Sequence, residues 1–412
     1  MAISANEGEI KKKTKITAML AAAAIVFSSV AGTFNGHTDS AGSFKMNPAW
    51  KMNSLSAYSA PNGLTPNQIR NAYGVDGSVG TGKGKTIALV VAYGSRTLKS
   101  DVAAFDAKFG LKNPDLEIHD CGVQKADSNW AVETSLDTEW AHVMAPDAKL
   151  LVVEAVSDDS NDLMAAVDYA AASGAQVVSM SWGTDEEPSL TMEDSHFNSN
   201  KVVFVAAAGD DGAKAMWPAS SPNVISVGGT TLKLNKSGSR FSESAWSKSG
   251  GGSSRMESAP SWQREMGIKS VTRSTPDVSF DAGTGVSVYC SGNSGHWYNV
   301  GGTSLGAPSW AGIVADLNQN SDSIKNAGSL YILAGKTSYR NPGNCFFDIT
   351  SGPNGRTAAV GYDEVSGLGT PNCASLNQQT AADTAELSTV KNEENRLSAF
   401  WRVSVRRFRR TG

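Results

Sequence analysis

Ser304 lies in the run Gly301-Gly302-Thr303-Ser304-Leu305-Gly306-Ala307-Pro308, and none of the chain's five histidines follows it. The flanking glycines fit a tight turn that presents a hydroxyl where a helix, Pro308 to Ala315, begins. A serine alcohol is a weak nucleophile and needs a base beside it. Gly302-Thr303-Ser304-Leu305-Gly306 matches G-x-S-x-G. The elbow that carries this motif takes its histidine after the serine, and His296 is already too early. The histidines before Ser304 fare no better. None of His37, His119, His142, His196 or His296 stands in a His-Gly-Thr context at a helix start. His142, among Trp140, Ala141, Val143 and Met144, reads as a structural residue of a helix. A group other than imidazole must take the Ser304 proton.

Carboxylates can do so. Trp130 to Ala141 reads as a helix, with Leu136, Trp140 and Val143 at i, i+4 and i+7. Glu133 and Asp137 share one face of it, with Cβ atoms about 5–6 Å apart. Two carboxylates that close resist joint ionisation and tend to share a proton. On its own such a pair is usually a solvated helix face; beside a nucleophile it is a base that works in acid. A third acid, Asp210, follows the apolar run Lys201 to Ala208 in the turn Gly209-Asp210-Asp211-Gly212. That run reads as a buried parallel strand, and sites in open α/β sheets collect at strand carboxyl ends. Asp210 and Asp211 would suit an ordinary turn equally well. A desolvated, protonated acid there can donate to a developing oxyanion.

The combination resembles the sedolisins, or serine-carboxyl peptidases, which share the subtilisin fold. The likeness runs from Gly63 to about Asn372. It includes Leu64 to Val75 as the opening helix, Glu133-Thr134-Ser135-Leu136-Asp137, Ser179-Met180-Ser181-Trp182-Gly183, and Gly209-Asp210-Asp211-Gly212. Ser249 to Ser253, Thr275 to Ser279 and Gly301-Gly302-Thr303-Ser304 follow in order. The resemblance implies that Ser304 attacks a peptide carbonyl and Glu133 takes its proton. Asp137 would orient Glu133, and protonated Asp210 would stabilise the oxyanion. Ser181, Trp182 and Gly183 would pair with the substrate backbone. It further implies one structural Ca²⁺, held by Asp348, Asp363 and the backbone carbonyls of Ile349, Ala359 and Gly361. Oxygen ligands of this kind suit calcium. Ala359 stands where the family often has glycine. The expected function is therefore a secreted, acid-active serine-type endopeptidase acting on proteins or peptides. The alternative is a catalytically inactive binding protein on the same fold, against which all four catalytic positions are intact.

The rest of the chain fits a single large α/β domain. Strand-like runs at Thr86–Ala92, Leu150–Ala155 and Val177–Met180 alternate with helices near Asp101–Phe109 and Leu163–Ala172. Near-continuous apolar strands predict a doubly wound, mostly parallel sheet with helices on both faces, subtilisin-like. We expect a signal peptide over 1–33, because the lysines at 11–13 and 15 precede the apolar run Ala18 to Phe27. That run is too short to span a bilayer comfortably. A flexible lead-in over 34–63 follows, then the catalytic domain over 64–375. Family precursors carry a much longer prodomain than this lead-in. Residues 376–412 read as a polar, then arginine-rich, disordered tail, with no membrane span after signal removal. Net charge is −4 and the isoelectric point about 5.8, which disfavours nucleic acid as a partner; a monomer is expected. Cys121, Cys290, Cys345 and Cys373 contain no C-x-x-C, which argues against zinc.

Overall fold

Runs such as Thr86–Ala92 have no polar side to turn to water, and the fold covers both of their faces. The computed structural model describes residues 43–49, 51–52, 58–76, 79–292, 296–335 and 345–385. All of them belong to one compact unit, Ser43–Gly412. The expected signal peptide, the start of the lead-in and residues 386–412 lie outside the described residues. Among those described, no helix is long and apolar enough to cross a membrane.

In chain order the strands are β1 (Asn47–Pro48), β2 (Lys51–Met52), β3 (Thr86–Ala92), β4 (Asp115–Asp120), β5 (Lys149–Ala155), β6 (Val177–Met180) and β7 (Trp182–Asp185). They continue as β8 (Val203–Ala207), β9 (Met216–Trp217), β10 (Val224–Leu234), β11 (Arg240–Ala245), β12 (Gly252–Ser258), β13 (Thr272–Thr275), β14 (Val278–Asp281), β15 (Val286–Tyr289) and β16 (Trp297–Gly301). The main sheet has eight strands in the order β11-β10-β8-β6-β3-β5-β4, with β14 also paired to β10. Every pairing in it is parallel except that of the edge strand β11. The doubly wound α/β expectation holds. Strand β4 is absent from the sequence reading. Its burial alternates because it lies at an edge, so Asp115–Asp120 shows no continuous apolar run.

Two helices carry the candidate chemistry. Ser128–Met144, the acid helix, links β4 to β5; Thr303–Leu317, the nucleophile helix, follows β16. They pack along each other, and the acid helix also meets the helix Leu98–Phe109. These three share one face of the sheet, while Ser160–Ala172 covers β3, β5 and β6 from the other. The chain runs outward from β3 to β4 and back to β5 on the same face. The two crossovers must then have opposite hands, so one is left-handed, against a right-handed rule obeyed in about 98% of cases.

The sequence reading leaves 376–412 without structure, whereas the chain is helical over 373–385. Asn372 accepts from Ser375 N at 3.4 Å through its side chain and from Leu376 N at 2.9 Å through its carbonyl. Cys373, Leu376 and Thr380, at i, i+3 and i+7, are buried. Three apolar or small residues in a polar segment suffice when a core awaits them.

Buried acids outnumber buried cations around the acid helix. Asp106 is fully buried and neither carboxyl oxygen has a hydrogen-bond partner. His142 Nε2 is 3.6 Å away, but it contacts Lys112 O at 2.7 Å, and burial lowers its proton affinity. Glu139 accepts only from Tyr289 N, and both oxygens of Asp316 are unpartnered. Burial pushes Asp106 and Asp281 up to about 7, and raises Glu139 and Asp316 well above the carboxylate range. A carboxyl whose affinity is raised on folding stabilises the native state below its unfolded pKa of about 4, and this is lost as pH climbs through the folded value. The melting temperature is therefore expected to be higher at about pH 4 than at about pH 7. Asp106→Asn should raise it at the upper pH and change it little at the lower. A wild-type melting temperature that climbs over that interval contradicts the account.

Candidate active site

Gly302 has φ +98° and ψ 168°, a backbone that L side chains rarely adopt, and it ends β16 abruptly. The helix starts at the next residue, so Ser304 lies in its first turn, not on a loop before Pro308 as the sequence suggests. Pro308 is thus inside the helix. Lacking an N–H, it cannot bond the carbonyl four residues back, which is that of Ser304. Ser181 Oγ donates to that carbonyl instead, at 3.3 Å. The Ser304 hydroxyl donates to Ser181 O at 3.2 Å.

The acid helix begins at Asp127, whose side chain accepts from Asn129 N at 2.9 Å and Trp130 N at 3.1 Å. From Trp130 to Met144 every residue is buried, so the carboxyl pair does not lie on a solvated helix face. Glu133 and Asp137 are fully buried. Asp137 Oδ1 accepts from Ser181 Oγ at 2.7 Å. Neither Glu133 oxygen has a partner at full hydrogen-bonding geometry, yet the Ser304 hydroxyl is near enough to lower its proton affinity. Desolvation, then the Asp137 charge, raises Glu133 far above an exposed glutamate, and desolvation raises Asp137. Asp210 adds a further repulsive charge at Glu133. No cation is among the groups that act on the pair, and two carboxyls placed so favour sharing a proton over joint ionisation.

Asp210 follows β8. Its Oδ1 accepts from Thr303 N and Thr303 Oγ1, both at 2.9 Å, and Thr303 Oγ1 accepts from Gly209 N at 3.1 Å. The strand-end acid is thereby fastened to the first residue of the nucleophile helix. The structure brings Glu133, Asp137, Asp210 and Ser304 together from β8 and two helices. Ser181, Trp182 and Gly183 lie beside them at β6–β7. They are paired with this chain's own residues 47–49, and the Trp182 indole is spent on Val90 O at 2.8 Å.

The Subtilase family profile matches residues 127–337, half of the chain. Sedolisin of Pseudomonas sp. (strain 101) is 34% identical over 239 residues, 48% of this chain and 39% of the relative. Kumamolisin of Bacillus sp. (strain MN-32) is 30% identical over 363 residues, 76% of this chain and 62% of the relative. The solved structure of Pseudomonas sedolisin, a serine-carboxyl proteinase complexed with two molecules of pseudo-iodotyrostatin, superposes with a TM-score of 0.70 at 29% identity, covering 79% of this chain and 99% of that one. The chain belongs to the subtilases, in their sedolisin branch. It spans less than two thirds of the length of the two curated relatives.

In this sedolisin a second oxygen-rich locus follows Cys345. Asp348 Oδ2 accepts from Gly361 N at 3.0 Å, while its Oδ1 is buried without a partner. Asp363 Oδ2 accepts from Ala359 N at 2.7 Å, and its Oδ1 from Val365 N and Ser366 N. Among the described residues no donor reaches the carbonyls of Ile349, Ala359 or Gly361. Burial raises both acids, and no lysine or arginine acts on either. An orphaned carboxylate oxygen, unsatisfied carbonyls and no local cation fit a hard, oxygen-seeking ion. No cluster of three or more His, Cys, Asp or Glu among the described residues could hold a metal, so any site here depends on the carbonyls. The same loop braces the Asp210 turn: Ala213 N donates to Asn354 O at 2.8 Å, and Asn354 Nδ2 to Ser249 O at 2.9 Å. The four cysteines are free thiols.

Thr303 as the anchor of Asp210, and Ser181 as a bridge to Asp137, are absent from the sequence reading. Pro308, four residues after Ser304, was the available signal for the latter, since it leaves a carbonyl to be satisfied from outside the helix.

Gly312 sets how closely the two helices approach. A Cβ there would lie 2.6 Å from Met144 Cβ and 3.2 Å from Ala141 O on the acid helix. Gly312→Ala should destabilise the fold by about 1–3 kcal/mol, as overpacking does. Denaturant unfolding within about 0.5 kcal/mol of wild type, the scatter of ordinary surface changes, would refute that reading.

Proposed function

We propose that the chain is a secreted serine-type endopeptidase that hydrolyses peptide bonds in proteins at acidic pH. The observation that carries this is the burial of a cation-free carboxyl pair against a serine at a helix start, with a third acid tied to the same helix. Ser304 is the nucleophile. Glu133 accepts its proton and returns it to the leaving amine, and Asp137 orients Glu133 and tunes it by charge. Asp210 Oδ1 is engaged as an acceptor, so the proton it donates to the oxyanion belongs on Oδ2. The Ser304 N–H is a second donor. Ser181, Trp182 and Gly183 pair with the substrate backbone. Internal cleavage is favoured because backbone of this chain lies along the site on both sides of Ser304, at residues 47–49 and 51–52, so the cleft admits a polypeptide that continues both ways. Export is inferred from the basic and apolar run at 11–27.

Activity requires Glu133 ionised and Asp210 protonated. Raised affinity at the carboxyl pair makes activity fall in acid where both members are protonated, and the need for a protonated oxyanion donor at Asp210 limits it on the other side. The profile of kcat/KM should be a bell with an acidic peak. Ser304→Ala and Glu133→Gln should abolish hydrolysis of an acid-denatured protein, and Asp210→Ala should lower kcat by about 10²–10³-fold. An alkaline optimum with full activity in Glu133→Gln would defeat the mechanism.

We also assign one Ca²⁺ to Asp348, Asp363 and the carbonyls of Ile349, Ala359 and Gly361. When bound, the ion supplies charge that lets both carboxylates stay ionised in a buried loop. Dialysis against a calcium chelator should lower the melting temperature, and added Ca²⁺ should restore it. Identical melting curves with and without chelator would count against the ion.

A further inference from the structure

Strand β7, assigned above to substrate, is the middle of a three-stranded sheet ordered β1-β7-β9. On one side Asn47 lies opposite Gly183 and Pro48 opposite Trp182, and Ala49 N continues the ladder to Ser181 O at 3.0 Å. Ala49 O accepts from Ser304 N at 2.7 Å. Residues 47–49 thus mark the register in which main chain runs along β7 to the nucleophile. Side chains alternate along a strand, and directly opposed residues share a face. A residue at the place of Ala49 therefore turns its side chain to the face of β7 that bears Gly183 and Asp185. On the other side β9 sets Trp217 against Thr184 and Met216 against Asp185. The Met216 side chain projects from that same face.

Two glycines wall the space above that face. Gly183 is one: a Cβ there would lie 2.8 Å from Trp217 O and 3.7 Å from Met216 Cε. Gly209, the neighbour of Asp210, is the other, with φ +99°. A Cβ on Gly209 would fall on Met216 Sδ, and 3.3 and 3.6 Å from its Cγ and Cε. The end of Met216 therefore rests between the bare main chain of β7 and that of the oxyanion turn. Its backbone is held by the pairing to Asp185 and by Ser220 N, which donates to Met216 O at 2.8 Å. Only 9% of Met216 is exposed, and Ala49 is buried as well.

We propose that Met216 sets the size of the side chain accepted beside the scissile bond. The space between β7 and Gly209, to which the register directs that side chain, is taken by the Met216 thioether. The substrates are then polypeptides cut after glycine, alanine or serine. The inference rests on the peptidase reading above and narrows it to a substrate class. A longer side chain must push Sδ and Cε off both glycine walls. Methionine is unbranched and can yield, so the expected effect is a graded loss of rate, not an absolute block. A single methylene in such a slot is worth about 10–200-fold in discrimination. The contacts at Gly183 and Gly209 are with the end of Met216, so trimming that end frees the space without moving either wall.

The test uses the full chain in acid and a series of internally quenched peptides. They differ only in the residue that carries the scissile carbonyl: Gly, Ala, Ser, Leu or Phe. Mass spectrometry of the products fixes the bond that is cut. In wild type, kcat/KM after Ala should exceed that after Leu or Phe by about tenfold or more. Met216→Ala should raise kcat/KM after Leu by about tenfold or more and leave that after Ala within about threefold of wild type. A merely structural role would scale every peptide alike and leave the Leu-to-Ala ratio where it was. Met216→Val, a strand former that also lacks Sδ and Cε, should shift the ratio in the same direction and repeats the test if the alanine variant does not fold. Wild type that cuts after Leu or Phe as fast as after Ala, or a ratio unmoved by the substitutions, would overturn the inference and leave the peptidase reading standing. Failure of wild type to hydrolyse any of the peptides would overturn both.

Discussion

The structure turns on carboxyl groups withdrawn from water without a cation to compensate them. Glu133 and Asp137 are the case at the candidate site, and Asp106, Glu139 and Asp281 repeat it in the scaffold. An isolated buried carboxylate is expensive, so each such group holds its proton to higher pH than an exposed acid. The scaffold and the chemistry thus respond to pH in the same direction. Contrast Arg273 and Asp277, also fully buried, which bond at 2.5 and 2.7 Å and so compensate each other's charge. Charge is tolerated inside this protein where it is paired; around the acid helix it is left unpaired.

Positioning follows from two helix irregularities. Gly302 ends a strand so sharply that Ser304 falls in the first helical turn, and Pro308 frees the Ser304 carbonyl from the helix ladder. Ser181 bridges that carbonyl and Asp137, so one hydroxyl couples the nucleophile's backbone to the acid pair. Thr303 does the equivalent for Asp210. Three acids from two elements, the acid helix and the turn after β8, are thereby registered against a single turn of helix. The loop bearing Asp348 and Asp363 extends this bracing through Asn354 to Ala213, three residues after Asp210.

Much of this was legible in the sequence because it depends on residue type and order. The histidine-free tail after Ser304 excludes the elbow's imidazole, and no histidine before it stands in a His-Gly-Thr context. The four-residue spacing of Glu133 and Asp137 fixes a shared face, and the apolar runs at β3, β5, β6 and β8 require burial. What escaped the sequence is whatever depends on direction. Alternating edge strands such as β4 carry no continuous apolar signal. The opposite-handed crossovers that bring the acid helix onto the same face as Leu98–Phe109 contradict the rule a topology guess would use. Residues 373–385 look polar because only Cys373, Leu376 and Thr380 face inward.

The lead-in residues carry the most instructive discrepancy. Ser, Asn, Ala and Gly in 34–63 read as flexible linker, since no periodicity marks them. Yet 44–49 are held by backbone hydrogen bonds to Ser160, Asp158, Trp182, Gly183 and Ser181, none of which needs a particular side chain. A cleft that recognises main chain is indifferent to which polypeptide occupies it. The same property lets it accept its own chain, and leaves no side-chain pattern by which a sequence could announce it. Generality towards substrate and susceptibility to self-occupation are then one physical feature of β7.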